Sequence, residues 1–230
     1  MALHLLGQGG AEIGKIDTWP GGGSAPTSAW TPGLIFADSY LLPIESGAAA
    51  PSLTRLDLGF WDGDPADQLP IAAPNGERLS AVTFTVGRVV PSRSPQFAPA
   101  IVEGSLFEYG IALLGVEVGE GGVFTLYWQT AQPIPADYTV FVHLLDANGN
   151  QVAQADAPPL AGDWPTSAWV PGQPFADPRR FALPSGLAAG RYTLNLGFYD
   201  PASGARLLAF RADASEWQAD VVVIGGIEIK

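Results

Sequence analysis

Two histidines, a few clustered carboxylates and seven tryptophans are the side chains of this 230-residue sequence with chemistry to offer. His4 and His143 each precede two leucines in a strand-like run. A metal or acid–base role would need further His, Cys or carboxylate ligands converging on the same point. The two histidines stand 139 residues apart and cysteine is absent, so both read as scaffold. Asp62-Gly63-Asp64-Pro65-Ala66-Asp67 gathers three carboxylates, and Asp146-Ala147-Asn148-Gly149-Asn150 alternates oxygen ligands. Calcium favours such loops, but an EF-type loop closes with a bidentate Glu at its twelfth position. Counted from Asp62 that position is Ala73, and from Asp146 it is Ala157. Turn formation accounts for both loops, because Asp, Asn, Gly and Pro are what turns use; an irregular calcium site at Asp62–Asp67 stays open. There is no Gly-x-Ser-x-Gly elbow, and no spacing singles out a pair of carboxylates. No catalytic residue, metal ligand or cofactor is assigned.

The aromatics are the most suggestive group. Trp61 and Tyr199 end their strand-like runs in phase with the polar Asp57 and Asn195, while Trp30 and Trp169 sit in the repeated loop, each closing a Pro-Thr-Ser-Ala-Trp run. Flat rings of this kind stack on sugar rings, which makes Trp61, Tyr199, Trp30 and Trp169 the candidate ligand-binding residues. The alternative for Trp30 and Trp169 is a plug at the end of a β-sandwich, burying roughly 200 Å² apiece. Identity between the two loops favours the plug, since a ligand face needs no such repetition.

These residues are positioned by a duplication. Residues 4–30 and 143–169 align without a gap at an offset of 139, with 12 of 27 positions identical. The match continues through Phe36-Ala37-Asp38 and Phe175-Ala176-Asp177. After one residue of slippage it resumes as LDLGFWD (56–62) against LNLGFYD (194–200). A repeat of this length is a small domain rather than a solenoid turn, whose period is roughly 20–50 residues. Short apolar runs punctuated by 28 Gly and 21 Pro point to an all-β chain of two tandem antiparallel β-sandwiches, immunoglobulin-like or jelly-roll-like. Strands are expected over Ala2–Leu6, Glu12–Ile16, Phe36–Ile44, Leu53–Trp61 and Leu79–Val90 in the first copy. In the second they are expected over Ile111–Val118, Val123–Thr130, Tyr138–Leu145, Arg180–Leu183, Tyr192–Tyr199 and Val221–Ile229. Residues 1–90 form the first copy, 91–104 a Pro/Ser-rich linker and 105–230 the second. The second copy has about fifty residues ahead of its His-Leu-Leu, the first almost none. The first is therefore expected to be a reduced sandwich, truncated at its N-terminus, with strand complementation by another chain as one way to complete it.

A net charge of −12 argues against a phosphate backbone as a partner and disfavours an anionic membrane surface. No apolar run approaches the ~18 residues of a membrane span, and Met1–His4 does not read as a signal peptide.

The run YTVFVHLLDANGN (138–150), the PTS-x-W-x-PG element (165–172), LPSGLAAGRYTLNLGFYD (183–200) and the closing VIGGIEI together resemble a β-sandwich module of bacterial extracytoplasmic proteins. That module is notably a soluble tail of membrane glycosyltransferase-like proteins in Chloroflexus-type bacteria. The likeness covers about 105–230 and, more faintly, 1–90. It implies a sandwich fold and an extracellular or cell-surface location, and brings no catalytic residues. The expected role is a non-catalytic structural, adhesive or self-assembly module. Its partners would be further copies of itself or neighbouring domains of a larger surface protein. The competing expectations are a carbohydrate-binding module with glycans as partners, and an accessory domain of a glycan-processing enzyme.

Overall fold

Alternation of apolar and polar residues over runs of five to ten makes strands, and Gly, Pro, Asn and Asp between them make turns. The computed structural model describes residues 1–64, 67–102, 104–211 and 219–229. It is all-β: 43% is strand, the sheets are antiparallel, and no helix among the described residues reaches seven residues. The chain divides into two units, Met1–Val90 and Pro91–Lys230.

Unit 1 is built on one four-stranded sheet of β1 (Ala2–Leu6), β2 (Glu12–Asp17), β3 (Ser52–Gly59) and β6 (Val82–Val89), in the order β2-β1-β3-β6. A two-stranded ribbon, β4 (Ile71–Ala72) with β5 (Arg78–Leu79), lies in the connection between β3 and β6. Leu5 pairs with Leu56 and Leu56 with Phe84; Leu3 pairs with Leu58 and Leu58 with Val82. Directly paired residues point to one face of a sheet, so these six define its apolar side.

Unit 2 has two sheets. The first runs β13 (Phe175–Arg180), β10 (Val123–Thr130), β9 (Ile111–Val118), β8 (Ser105–Phe107) and β15 (Ala209–Arg211), with β7 (Ile101–Val102) also on β9. The second runs β12 (Gln151–Gln154), β11 (Thr139–Leu145), β14 (Gly190–Tyr199) and β16 (Val222–Ile229). Phe107 and Trp128 of the first sheet meet Phe198 of the second edge-on, at 5.1 and 5.0 Å between ring centroids. The sheets thus face each other as in a β-sandwich. Ile111, Leu113, Leu126, Val140, Val142, Leu144, Leu194 and Leu196 fill the interior without exposure.

The second sheet of unit 2 repeats the sheet of unit 1 residue for residue. Val142 pairs with Leu196 and Leu196 with Val222; Leu144 pairs with Leu194 and Leu194 with Ile224. What unit 1 does not have, among the described residues, is a counterpart of the first sheet. This accounts for one expectation that fails. Phe36–Ile44 is not a strand, although the matching Phe175–Arg180 is, because β13 is held by a ladder to β10 and unit 1 offers no such strand. The run expected at Arg180–Leu183 is also shifted, since the strand ends at Arg180. Pro178 disguises it in the sequence; a proline is tolerated because β13 lies at the sheet edge.

The turns that precede the repeated loops also coincide. Gly21 and Gly22 adopt φ of 65° and 61°, and their equivalents Leu160 and Ala161 adopt 48° and 54°. Glycine accepts the left-handed region freely, whereas a residue with a Cβ pays about 1–2 kcal/mol there. Ala161→Gly is therefore expected to raise the stability of unit 2 by up to about 1 kcal/mol, and Gly22→Ala to lower that of unit 1 by about the same, read from denaturant midpoints.

Tyr138, at the start of β11, stacks on Tyr109 at 5.9 Å and is 9% exposed. Burial first, and then its hydrogen bond with Tyr109, push its phenol up to about 12. The folded form holds this proton more tightly than the unfolded chain, whose tyrosines titrate near 10. The resulting stabilisation is complete below pH 10 and lost as pH rises towards 12. The unfolding midpoint should fall across that window, and Tyr138→Phe should flatten the fall.

Candidate functional site

Three rings built by equivalent residues compare the two units most directly. In unit 2, Trp169 meets Phe175 at 4.7 Å and Phe198 at 6.2 Å, the latter at an interplanar angle of 75°. In unit 1, Trp30 meets Phe36 at 5.2 Å and Phe60 at 6.4 Å, the latter at 85°. Each indole N–H donates to a carbonyl five residues back, Trp169 to Trp164 at 3.0 Å and Trp30 to Ala25 at 3.1 Å. The ring neighbours and the indole hydrogen bond are shared, although Trp30 and Phe36 stack at 29° where Trp169 and Phe175 meet edge-on at 76°; the surroundings differ. Trp128 and Phe107 close over the unit 2 rings, leaving Trp169 at 3% exposure and Phe175 at 2%. In unit 1 the same positions, Trp30 and Phe36, stand at 39% and 46%.

The open rings line a cleft of about 260 Å³ whose walls include Trp19, Trp30, Phe60, Trp61 and Leu69. Trp30 also borders a neighbouring cleft of about 410 Å³ with Phe36 and Asp38. The first cleft falls below the ~300–1,000 Å³ of pockets for drug-sized ligands and suits a single ring. Of the four residues singled out in the sequence, Trp30 and Trp61 come together here. Tyr199, half-buried, bridges to Arg206 as Trp61 bridges to Gln68. Trp169 lies inside unit 2 with no ring face free for a sugar. Trp19, 63% exposed, was given no role by the repeat because Pro158 stands at the equivalent position.

A carboxylate brace holds each repeated turn. Asp177, 1% exposed, accepts the Leu160 N–H at 3.0 Å and pairs with the Arg179 guanidinium through two nitrogens at 2.7 and 2.9 Å. Arg179 donates onward to the carbonyls of Ala155 and Ala157. In unit 1, Asp38 accepts the Gly21 N–H at 2.5 Å and the Tyr40 hydroxyl. The Tyr40 hydrogen bond, followed by that from Gly21, holds the Asp38 carboxyl below the usual carboxylate range, and Asp38 in turn raises the Tyr40 phenol. The two braces use equivalent positions with different donors.

The histidines are held by carboxylates on the outer faces of their sheets. His4 Nδ1 lies 3.0 Å from Glu12 and Nε2 3.6 Å from Asp17; His143 Nε2 lies 3.5 Å from Asp156. Among the described residues no group of three or more His, Cys, Asp or Glu is arranged to hold a metal ion. The Asn150 side-chain amide, and then the N–H groups of Asn150 and Asn148, donate to Asp146 in its own turn and lower its pKa. Asp62 opens a turn closed by its N–H to the Asp67 carbonyl, just as Asp200 bonds to Ala205. Pro65 and Ala66 of the Asp62–Asp67 loop lie outside the described residues. Compared with known protein families and with curated proteins, the chain finds no match in either.

The ring clusters differ in what they should cost to remove. Trp169→Ala empties a closed core and is expected to destabilise unit 2 by about 3–5 kcal/mol. Trp30→Ala removes a ring already 39% exposed and should cost unit 1 less, about 1–3 kcal/mol. Chemical denaturation followed by tryptophan fluorescence and amide exchange separates the two.

Proposed function

We propose that the chain is a non-catalytic module of an extracellular or cell-surface protein, with a structural, adhesive or self-assembly role. The observation that carries this reading is the apolar side of the unit 1 sheet, where Phe84 is 48% exposed while its counterpart Ile224 is 4% exposed. An apolar sheet face continued by exposed aromatic rings marks a surface built to meet something else. The resemblance of residues 105–230 to modules of extracytoplasmic proteins supports the location. A net charge of −12 supports partners other than nucleic acid.

A second reading is favoured by the cleft of Trp19, Trp30, Phe60 and Trp61, whose rings suit stacking on a sugar. One set of experiments separates the two. Antibody against the chain should label intact cells of the source organism; labelling only after permeabilisation would overturn the location. On immobilised glycans, binding abolished by both Trp19→Ala and Trp61→Ala would install the second reading. Absence of binding, or binding indifferent to both variants, leaves the structural module standing.

A further inference from the structure

We propose that the cleft between residues 94–99 and the outer face of the first sheet of unit 2 binds a neutral saccharide of one or two rings. The site lies wholly in unit 2, so it goes beyond the glycan reading of the unit 1 cleft and does not depend on it.

Strand alternation decides which side chains form the floor. Leu126 and Trp128 point into the sandwich and are fully buried, so Tyr127 and Gln129 point to the opposite face. Gly115 pairs with Tyr127 and shares that face. The Pro/Ser-rich stretch is fastened over it at three points. The Phe97 ring lies 4.8 Å from that of Tyr127, whose hydroxyl donates to Glu117 at 2.6 Å. Pro99 sits on Gly115, where a Cβ would come within 2.3 Å of the proline Cγ. Ile101 and Val102 then pair with Val116 and Gly115, as β7 on β9. A cleft held in this way is formed before any ligand arrives, which spares the entropy of ordering a loop around it.

Between these fastenings and the turn at 172–174 a space of about 450 Å³ remains. It falls within the ~300–1,000 Å³ of small-molecule pockets, unlike the 260 Å³ cleft of unit 1. Two kinds of group dominate its lining. Pro95, Phe97, Pro99 and Pro174 offer apolar ring faces, and Gln96 and Gln129 offer side-chain amides. Neither amide is engaged in a side-chain hydrogen bond among the described residues. An amide both donates and accepts, and so does a hydroxyl. Among the described residues no charged side chain lines the cleft, although the chain carries 23 acidic and 11 basic residues. A carboxylate or ammonium ligand would leave its hydration there without gaining a counter-ion. A neutral pyranose fits both kinds of group, its C–H face against the rings and its hydroxyl rim against the amides.

Titration of the full chain with glucose, galactose, mannose, N-acetylglucosamine and their disaccharides, followed by amide chemical shifts, tests the site. The expected result is saturable shifts centred on Gln96, Leu114, Gln129 and Gly172 for at least one of these sugars. Gln129→Ala should weaken that binding at least about fivefold, the loss of one hydrogen bond to a neutral partner. Trp61→Ala, in the other unit, should leave it unchanged. Should Gln129→Ala fail to fold, Gln96→Ala, at an exposed position, carries the same expectation. Absence of saturable binding by every sugar, binding indifferent to the glutamine variants, or stronger binding of glucuronate or glucosamine overturns the proposal. Shifts centred on Trp30 and Trp61 would install the unit 1 glycan reading and overturn this one. A free peptide of sequence PSRSPQFAP that occupies the same residues more tightly than any sugar would also overturn it, and would make the face a groove for proline-rich segments.

Discussion

A sheet with one apolar side needs a second layer, because at about 25 cal/mol per Å² each uncovered leucine or phenylalanine forfeits a kilocalorie or more of transfer free energy. In unit 2 the layer is present, and its keystone is the ring cluster of Phe107, Trp128, Trp169 and Phe198. Trp128 comes from the first sheet, Phe198 from the second, and Trp169 from the loop that closes one end. Removing any of them would open the space between the sheets. The remaining features of unit 2, from the brace at Asp177 to the anchored turn at Thr166, hold loops in the positions this cluster requires. Thr166, fully buried, accepts the Tyr138 N–H and donates to the Ala136 carbonyl, which ties the closing loop to the start of β11.

Unit 1 shows the same parts with that constraint relaxed. Its Trp30, Phe36 and Phe60 keep the neighbours of the core cluster, but Trp30 and Phe36 stack where Trp169 and Phe175 meet edge-on.

Much of the fold was legible because the period-2 pattern and the duplication are both properties of the sequence. Ala2–Leu6, Ile111–Val118 and Val123–Thr130 carry alternation strong enough to fix strand ends to the residue. Phe36–Ile44 carries an equally apolar composition and forms no strand, because a strand is made by its neighbour's hydrogen bonds and no local pattern records whether the neighbour exists. Pro178 misleads in the opposite direction, since its cost depends on lying at an edge. At the site, Trp30 and Trp61 could be named from repetition and strand phase. Trp19 could not, for its importance arises only when the Pro20–Gly23 turn brings it beside the end of β3. The fate of Trp169 likewise depended on the sheet above it, which its loop sequence, shared with Trp30, does not encode.

The carboxylate braces carry a consequence for how the two copies diverged. The unit 1 turn has glycines where the backbone is left-handed, and a tyrosine hydroxyl is donor enough to hold it. The unit 2 turn places a leucine and an alanine in that same unfavourable backbone and is held by a buried guanidinium. The unit 2 turn thus accepts side chains in a backbone that unit 1 fills with glycine, and a charged, buried brace stands beside it to offset that local cost.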